Sequence, residues 1–265
     1  MSKSKDCFFA LIDILGFSDY VKKESCNNVY RFLSAIVEVV DRLNVKVKYK
    51  VEVFSDTILL AAPSGITDIA VFVDYINAFQ LESIVSENLG ILPLRGVITR
   101  GEYFSKGKIK FGKALVEADE KQKNEAKNPR IIVNKDSLPP HIYPRYACDV
   151  ATSLNRRFGG NLKMIPQTQR LHTDLDGFEY CNYLNSLVPY AILDQSWDSS
   201  KISKIARHKK FIENKLAAYA EDETVKEKYI WMKKYHNWFC DVDDELVGYR
   251  IDDAPHPHNQ EESLK

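Results

Sequence analysis

Cys7 to Leu15 (CFFALIDIL) is an almost unbroken apolar run with one acid near its end, the pattern of a central strand buried on both faces. Beyond Asn27-Asn28, which can cap a helix, Val29, Phe32, Leu33, Ile36, Val37, Val40 and Leu43 recur at helical spacing. Asn44 to Phe54 (NVKVKYKVEVF) alternates apolar and charged residues, and Thr57 to Ala62 (TILLAA) is apolar. The Ser55-Asp56 pair between them predicts a β-hairpin turn. Ile69 to Leu89 places Val73, Ile76, Phe79, Ile84 and Val85 along a helix that ends at Gly90. Leu92 to Phe104 predicts a long strand, and Ile109 to Gly112 a short one after the Lys106-Gly107-Lys108 turn. Ala114 to Ala126 then reads as a helix stopped by Asn128-Pro129.

This order is the βαββαβ arrangement of a ferredoxin-like sheet, an α+β fold with helices on one face. Its first strand lies centrally beside the hairpin. Asp13, near the end of that strand, and Asp56, in the hairpin turn, should therefore converge although 43 positions separate them. The pattern divides the chain into a core over 1–135, a loop-rich extension of it over 136–200, C-terminal helices over 201–250 and a disordered tail over 251–265. Tyr180, Tyr183 and Leu184 suggest a short helix in the extension. Ile202 to Tyr219 and Val225 to Phe239 carry apolar stripes that predict packing on the sheet or on a second subunit, as does the Trp231, Tyr235, Trp238 and Phe239 cluster.

Composition narrows the function classes. The 265 residues are 45% hydrophobic, enough for a full core, and 37 basic side chains balance 37 acidic ones. Such a chain has no global field for nucleic acid or an anionic membrane, and neither partner is expected. No apolar run approaches the roughly 20 residues that span a bilayer, so a cytoplasmic protein is expected. Five scattered cysteines without a CxxC pair argue against disulfides and zinc, and His256 and His258 fall in the tail without a further ligand nearby.

A carboxylate inside FFALIDILGF has to neutralise or find a cation. Gly16 directly after the strand permits close approach of a phosphate, and the N–H groups opening the next segment, from Phe17, form an anion site. Asp56 alone is ordinary turn chemistry. Paired with Asp13 it supplies the second carboxylate of a two-metal site, suited to two Mg²⁺ or Mn²⁺ ions about 3.5 to 4 Å apart.

Four segments then resemble the class III nucleotide cyclase catalytic domain in that family's order: ALIDILGFSDYV, KVEVFSDTILLAA, LRGVITRGEYF and FGKALVEADEKQKNEA, covering about residues 7 to 133. The resemblance implies that Asp13 and Asp56 are metal ligands and catalytic, that the Ile14 carbonyl contacts one ion, and that Ile14, Leu15, Gly16 and Phe17 receive the phosphates through backbone N–H groups. It also implies a homodimer with shared active sites acting on a ribonucleoside triphosphate. Where purine cyclases of the family carry a transition-state asparagine and arginine, this chain has Val116 and Glu120. Arg95, Arg100, Lys121 and Arg130 are the replacement cations considered, with Arg130 assigned the catalytic role and Arg95 nucleotide binding. Glu52 falls at the base-reading position, as in guanylate cyclases, and its usual partner position is Ile109, which offers no hydrogen bond.

IDILGFSD, FSDTILL, FGKALVEAD and NPRIIV, together with KYIWMKKYHNW, are more similar to the pyrimidine cyclases of bacterial anti-phage (Pycsar) systems. That likeness implies a cyclase making cyclic UMP from UTP, with pyrophosphate, for a separate effector protein. Tyr49, in the strand leading to the hairpin, either packs against a small base or takes a cross-strand core role. A cytidylate or guanylate cyclase, an inactive nucleotide-binding and dimerisation module, and a metal-dependent phosphohydrolase are the alternatives.

Overall fold

In the computed structural model of the chain, residues 5–44, 49–65, 67–86, 92–138, 169–188, 197–241 and 243–252 are described. The apolar run becomes β1 (Lys5–Ile14), which lies between two antiparallel partners, β3 (Thr57–Pro63) and β4 (Leu94–Lys106). β2 (Lys50–Phe54) forms the hairpin with β3 across Ser55-Asp56, and Ser55 takes the left-handed conformation (φ 55°) that this two-residue turn requires. The β2-β3-β1-β4 order, all antiparallel, is the expected ferredoxin-like core. Beyond β4 the sheet continues through β6 (Ile131–Val133), β8 (Glu179–Cys181) and β7 (Leu171–Thr173), while β5 (Ile109–Phe111) folds back on the end of β4. Residues of the expected loop-rich extension therefore add two sheet strands. A 3-10 turn at Tyr183–Leu187 follows them, where a short helix was expected.

Strand alternation sorts β1 into two faces. Phe8, Ala10, Ile12 and Ile14 join α2 (Cys26–Asn44) and α3 (Ile69–Val85) in the larger core. Cys7, Phe9 and Leu11 pack with Tyr103 and with Ala114 and Ala118 of α4 (Lys113–Asn124) in a smaller one. The expectation of helices on one face describes α2 and α3; α4 covers part of the opposite face, because its two buried alanines match the odd-numbered residues of β1. Gly96 permits this close sheet. A β-carbon there would lie 2.4 Å from the Leu11 carbonyl oxygen.

Residues 1–201 and 202–265 form two compact units. In the second, α5 (Ser199–Ala218), α6 (Glu223–Cys240) and α7 (Asp244–Val247) bury Ile205, Ile212, Tyr229, Met232, Phe239, Leu246 and Ile251. His208 and His236 are also fully buried, with their Nδ1 atoms 2.9 Å apart. His236 Nε2 donates to the Tyr249 carbonyl (2.9 Å), so its Nδ1 is the acceptor and His208 Nδ1 donates. Burial holds both rings below the usual imidazole range, His236 at about 4. No helix among the described residues is long and apolar enough to cross a membrane. The tail histidines, Gly90 and the Asn44 end of the alternating segment as far as Lys48 (Asn44 itself excepted) lie outside the described residues.

Candidate active site

Register places the site. Phe54, Thr57, Asp13 and Arg95 are directly opposed across β2, β3, β1 and β4, and Glu52, Leu59, Leu11 and Val97 form the next row on the same face. The hairpin turn lies beyond the first row, and the Asp56 carbonyl accepts the Ile14 N–H at 2.9 Å, tying the turn to the end of β1. The two carboxylates meet there. Burial raises the Asp13 carboxyl above the ordinary carboxylate value; the Arg95 guanidinium lowers it, and the neighbouring Asp56 carboxylate raises it again. Arg95 Nε donates to Asp13 Oδ2 at 2.8 Å, with side-chain exposures of 33% and 18%.

Among the described residues Asp56 pairs with no cation, and no group of three or more His, Cys, Asp or Glu side chains able to hold a metal occurs. Two half-open carboxylates with only oxygen donors fit a hard divalent ion whose remaining positions are filled by phosphate oxygens and water. The pair would hold Mg²⁺ or Mn²⁺ more tightly in company with such a ligand.

Beside this row, Leu11, Glu52, Phe54, Thr57, Leu59, Lys110, Leu115, Val116, Glu120 and Gln122 line an open cleft of about 640 Å³. Its floor is apolar, and its polar centre is an ion pair, Lys110 Nζ to Glu52 Oε2 at 2.6 Å, joined by Lys50 at 3.3 Å from Oε1. Lys110 carries no signal in the sequence, where its neighbour Ile109 occupies the expected partner position. The tight Gly107 turn sets Lys110 opposite Ser105, pointing it back toward β2, whereas Ile109 is exposed. Only the hairpin register could have singled it out. A second cleft of about 610 Å³ shares Val116 and Glu120 with the first and is lined further by Phe104, Phe111 and Lys113.

Several expected site residues belong elsewhere. Tyr49 is buried on the helix side of the sheet, its ring edge-on to Phe72 and Tyr75 at 5.3 and 5.2 Å, because it shares the parity of Val51 and Val53 rather than of Glu52. It therefore cannot pack against a base at Glu52. Arg130 is fully buried, bonded to Asp174 and Asp176 and set against the Phe178 and Tyr180 rings, so its charge is consumed by the β7-β8 hairpin. It is a structural cation. Arg100 is held by Asp6 at the far end of β1, and Lys121 by Glu125. The Ile14 and Leu15 N–H groups already donate to Asp56 and Pro93 carbonyls (2.9 Å each), which withdraws both as phosphate donors. Gly16 (φ 80°) and Phe17 then start a helix of only seven residues, α1 (Phe17–Lys23), with their N–H groups outside those bonds.

No protein-family model and no curated protein matches the chain. Among solved structures, it is similar to the monomeric guanylyl cyclase domain of the RhoGC fusion protein from the aquatic fungus Blastocladiella emersonii, at 16% identity over 68% of this chain and 96% of that one (TM-score 0.45). It is also similar to the guanylate cyclase domain of RhGC from Catenaria anguillulae in complex with GTP, at 17% identity over 51% and 81% (TM-score 0.43). The adenylyl cyclase CyaB from P. aeruginosa aligns at 15% identity over 51% and 79% (TM-score 0.42).

Proposed function

We propose that this chain is a two-metal nucleotide cyclase that converts a pyrimidine ribonucleoside triphosphate, UTP by preference, into the 3′,5′-cyclic monophosphate and pyrophosphate. The observation that carries this reading is the meeting of Asp13, Asp56 and Arg95 at one end of the sheet, two carboxylates and one guanidinium drawn from two strands and the hairpin turn. Asp13 and Asp56 would hold the ions. Bound there, Mn²⁺ or Mg²⁺ would acidify the ribose 3′-hydroxyl and neutralise the departing pyrophosphate. Arg95 offers the triphosphate a planar, permanently charged donor. The Gly16 and Phe17 N–H groups add donors on the same side.

Glu52 and Lys110 give the apolar cleft one acceptor and one donor side by side, a complement to the edge of a base that presents the reverse. The choice of a pyrimidine rests on the sequence likeness to the anti-phage cyclases, as does the role in defence through a separate effector; a cytidylate or guanylate cyclase is the nearest alternative. Phe54, Phe111 and Val116 are exposed along the two clefts, which supports a second copy covering them and completing shared sites.

An inactive nucleotide-binding module is the second reading, favoured by Val116 and Glu120 in the clefts, where a transition state needs a donor. Incubating the purified protein with Mn²⁺ and each of the four ribonucleoside triphosphates, followed by mass identification of products, separates the two. Cyclic UMP as the main product supports the cyclase. Unchanged nucleotides support the inactive module, and linear mono- or diphosphates indicate a phosphohydrolase.

A further inference from the structure

Asp13 has a cationic partner within the chain. Arg95 opposes it directly across β1 and β4, and its Nε donates to Oδ2 at 2.8 Å. On the other side of Asp13 stands Asp56, a like charge that pairs with no cation among the described residues. Among those residues Arg95 is thus the sole basic side chain bonded to this carboxylate pair. A guanidinium and a divalent cation on one carboxylate are brought within a few ångströms of each other, and their repulsion makes them competitors for it.

Among the described residues Arg95 in turn makes no other side-chain hydrogen bond, and one third of its side chain is open to solvent. Its remaining N–H donors can therefore take an anion from outside without breaking any further internal bond. A polyphosphate provides acceptors spaced for bidentate contact and carries more charge than one aspartate.

We propose, resting on the reading of Asp13 and Asp56 as a metal-binding pair, that Arg95 is an exchangeable counter-ion coupling the two ligands. It holds Asp13 until a nucleotide's phosphates draw it away, so divalent cations bind the pair weakly alone and more tightly with nucleotide. Linkage makes the effect reciprocal: metal on Asp13 frees Arg95 for phosphate. Arg95 then determines the order of assembly as well as contributing to affinity. A site with two adjacent carboxylates is kept from collecting metal without substrate.

The test is direct titration of the full chain with Mn²⁺ alone, following the electron paramagnetic resonance signal of the free ion. The set comprises wild type, Arg95→Gln, Arg95→Lys, Asp56→Asn and the double variant Arg95→Gln/Asp56→Asn, each checked for folding by its melting curve. Arg95→Gln is expected to bind Mn²⁺ roughly tenfold more tightly than wild type, since the competing charge is gone. Arg95→Lys, which keeps the charge, should stay within about threefold of wild type. Adding Asp56→Asn should remove the gain. If Arg95→Gln binds no more tightly than wild type while Asp56→Asn abolishes binding, the coupling is overturned and the metal site stands. If Mn²⁺ binds all five proteins alike, the metal reading falls, and the coupling with it.

Discussion

Two pairs of like titratable groups lie in the two units of this chain, and they are treated in opposite ways. In the helical unit His208 and His236 are sealed from solvent, neutral, and bonded to each other and to the Tyr249 carbonyl. In the sheet unit Asp13 and Asp56 are half-open, alike in charge, and share one guanidinium that reaches only the first. The histidines find their partners within the chain; of the aspartates only Asp13 does, among the described residues. Polar groups completed internally serve the fold, and groups left short of partners at an open edge are available to a ligand. Arg130 falls with the histidines, and Glu52 and Lys110 lie between, bonded to each other but facing an apolar cleft.

The largest break in this contrast is expected from Asp56→Ala. Turnover should fall about 10³-fold or more, because the second carboxylate is lost. The backbone carbonyl that anchors Ile14 remains, so the melting temperature should hold or rise as repulsion on Asp13 is relieved. Product formation by mass spectrometry and a melting curve on the same sample check both halves. Arg130→Met should show the reverse. Leaving Asp174 and Asp176 without their cation should cost about 3 kcal/mol in denaturant unfolding while the activity per folded molecule is kept.

Acid should act on the helical unit. His236 is held at about 4 against an ordinary 6.5, so the unfolded chain binds more protons in between. Stability from the neutral ring is full above about 6.5 and is lost as pH falls through about 4. The loss should reach the order of 2–3 kcal/mol, read from tryptophan fluorescence, since Trp231 and Trp238 both lie on α6. A His236→Phe variant with a shallower slope, that of His208 alone, would sharpen the contrast, and a wild type without any slope would break it.

Lys110→Ala should change discrimination among the four triphosphates by about tenfold in kcat/KM, leaving Glu52 with Lys50 alone; unaltered selectivity would remove Lys110 from base reading. The smallest effect belongs to Tyr49→Phe. Its buried hydroxyl has no hydrogen-bond partner among the described residues, so the change should be neutral or stabilising by about 0.5 kcal/mol, with unchanged turnover. A loss of nucleotide affinity in this variant would return Tyr49 to the site.

What the sequence determined by itself is the order of elements through α4 and the convergence of Asp13 with the hairpin turn that carries Asp56. Apolar periodicity marks β1, α2 and the hairpin because strand and helix spacings are properties of neighbouring residues. An acid inside FFALIDILGF requires compensation whatever the fold. Which cation compensates, and which side chains share a face with it, depends on register between strands that are distant in sequence. One position of register separates Tyr49 from the face of Glu52 and Ile109 from the role of Lys110, because side chains alternate every residue along a strand. Arg130 has the same charge as Arg95. Only the folded hairpin of Asp174 and Asp176 decides that its charge is already taken, as β1 decides that Arg95 faces Asp13.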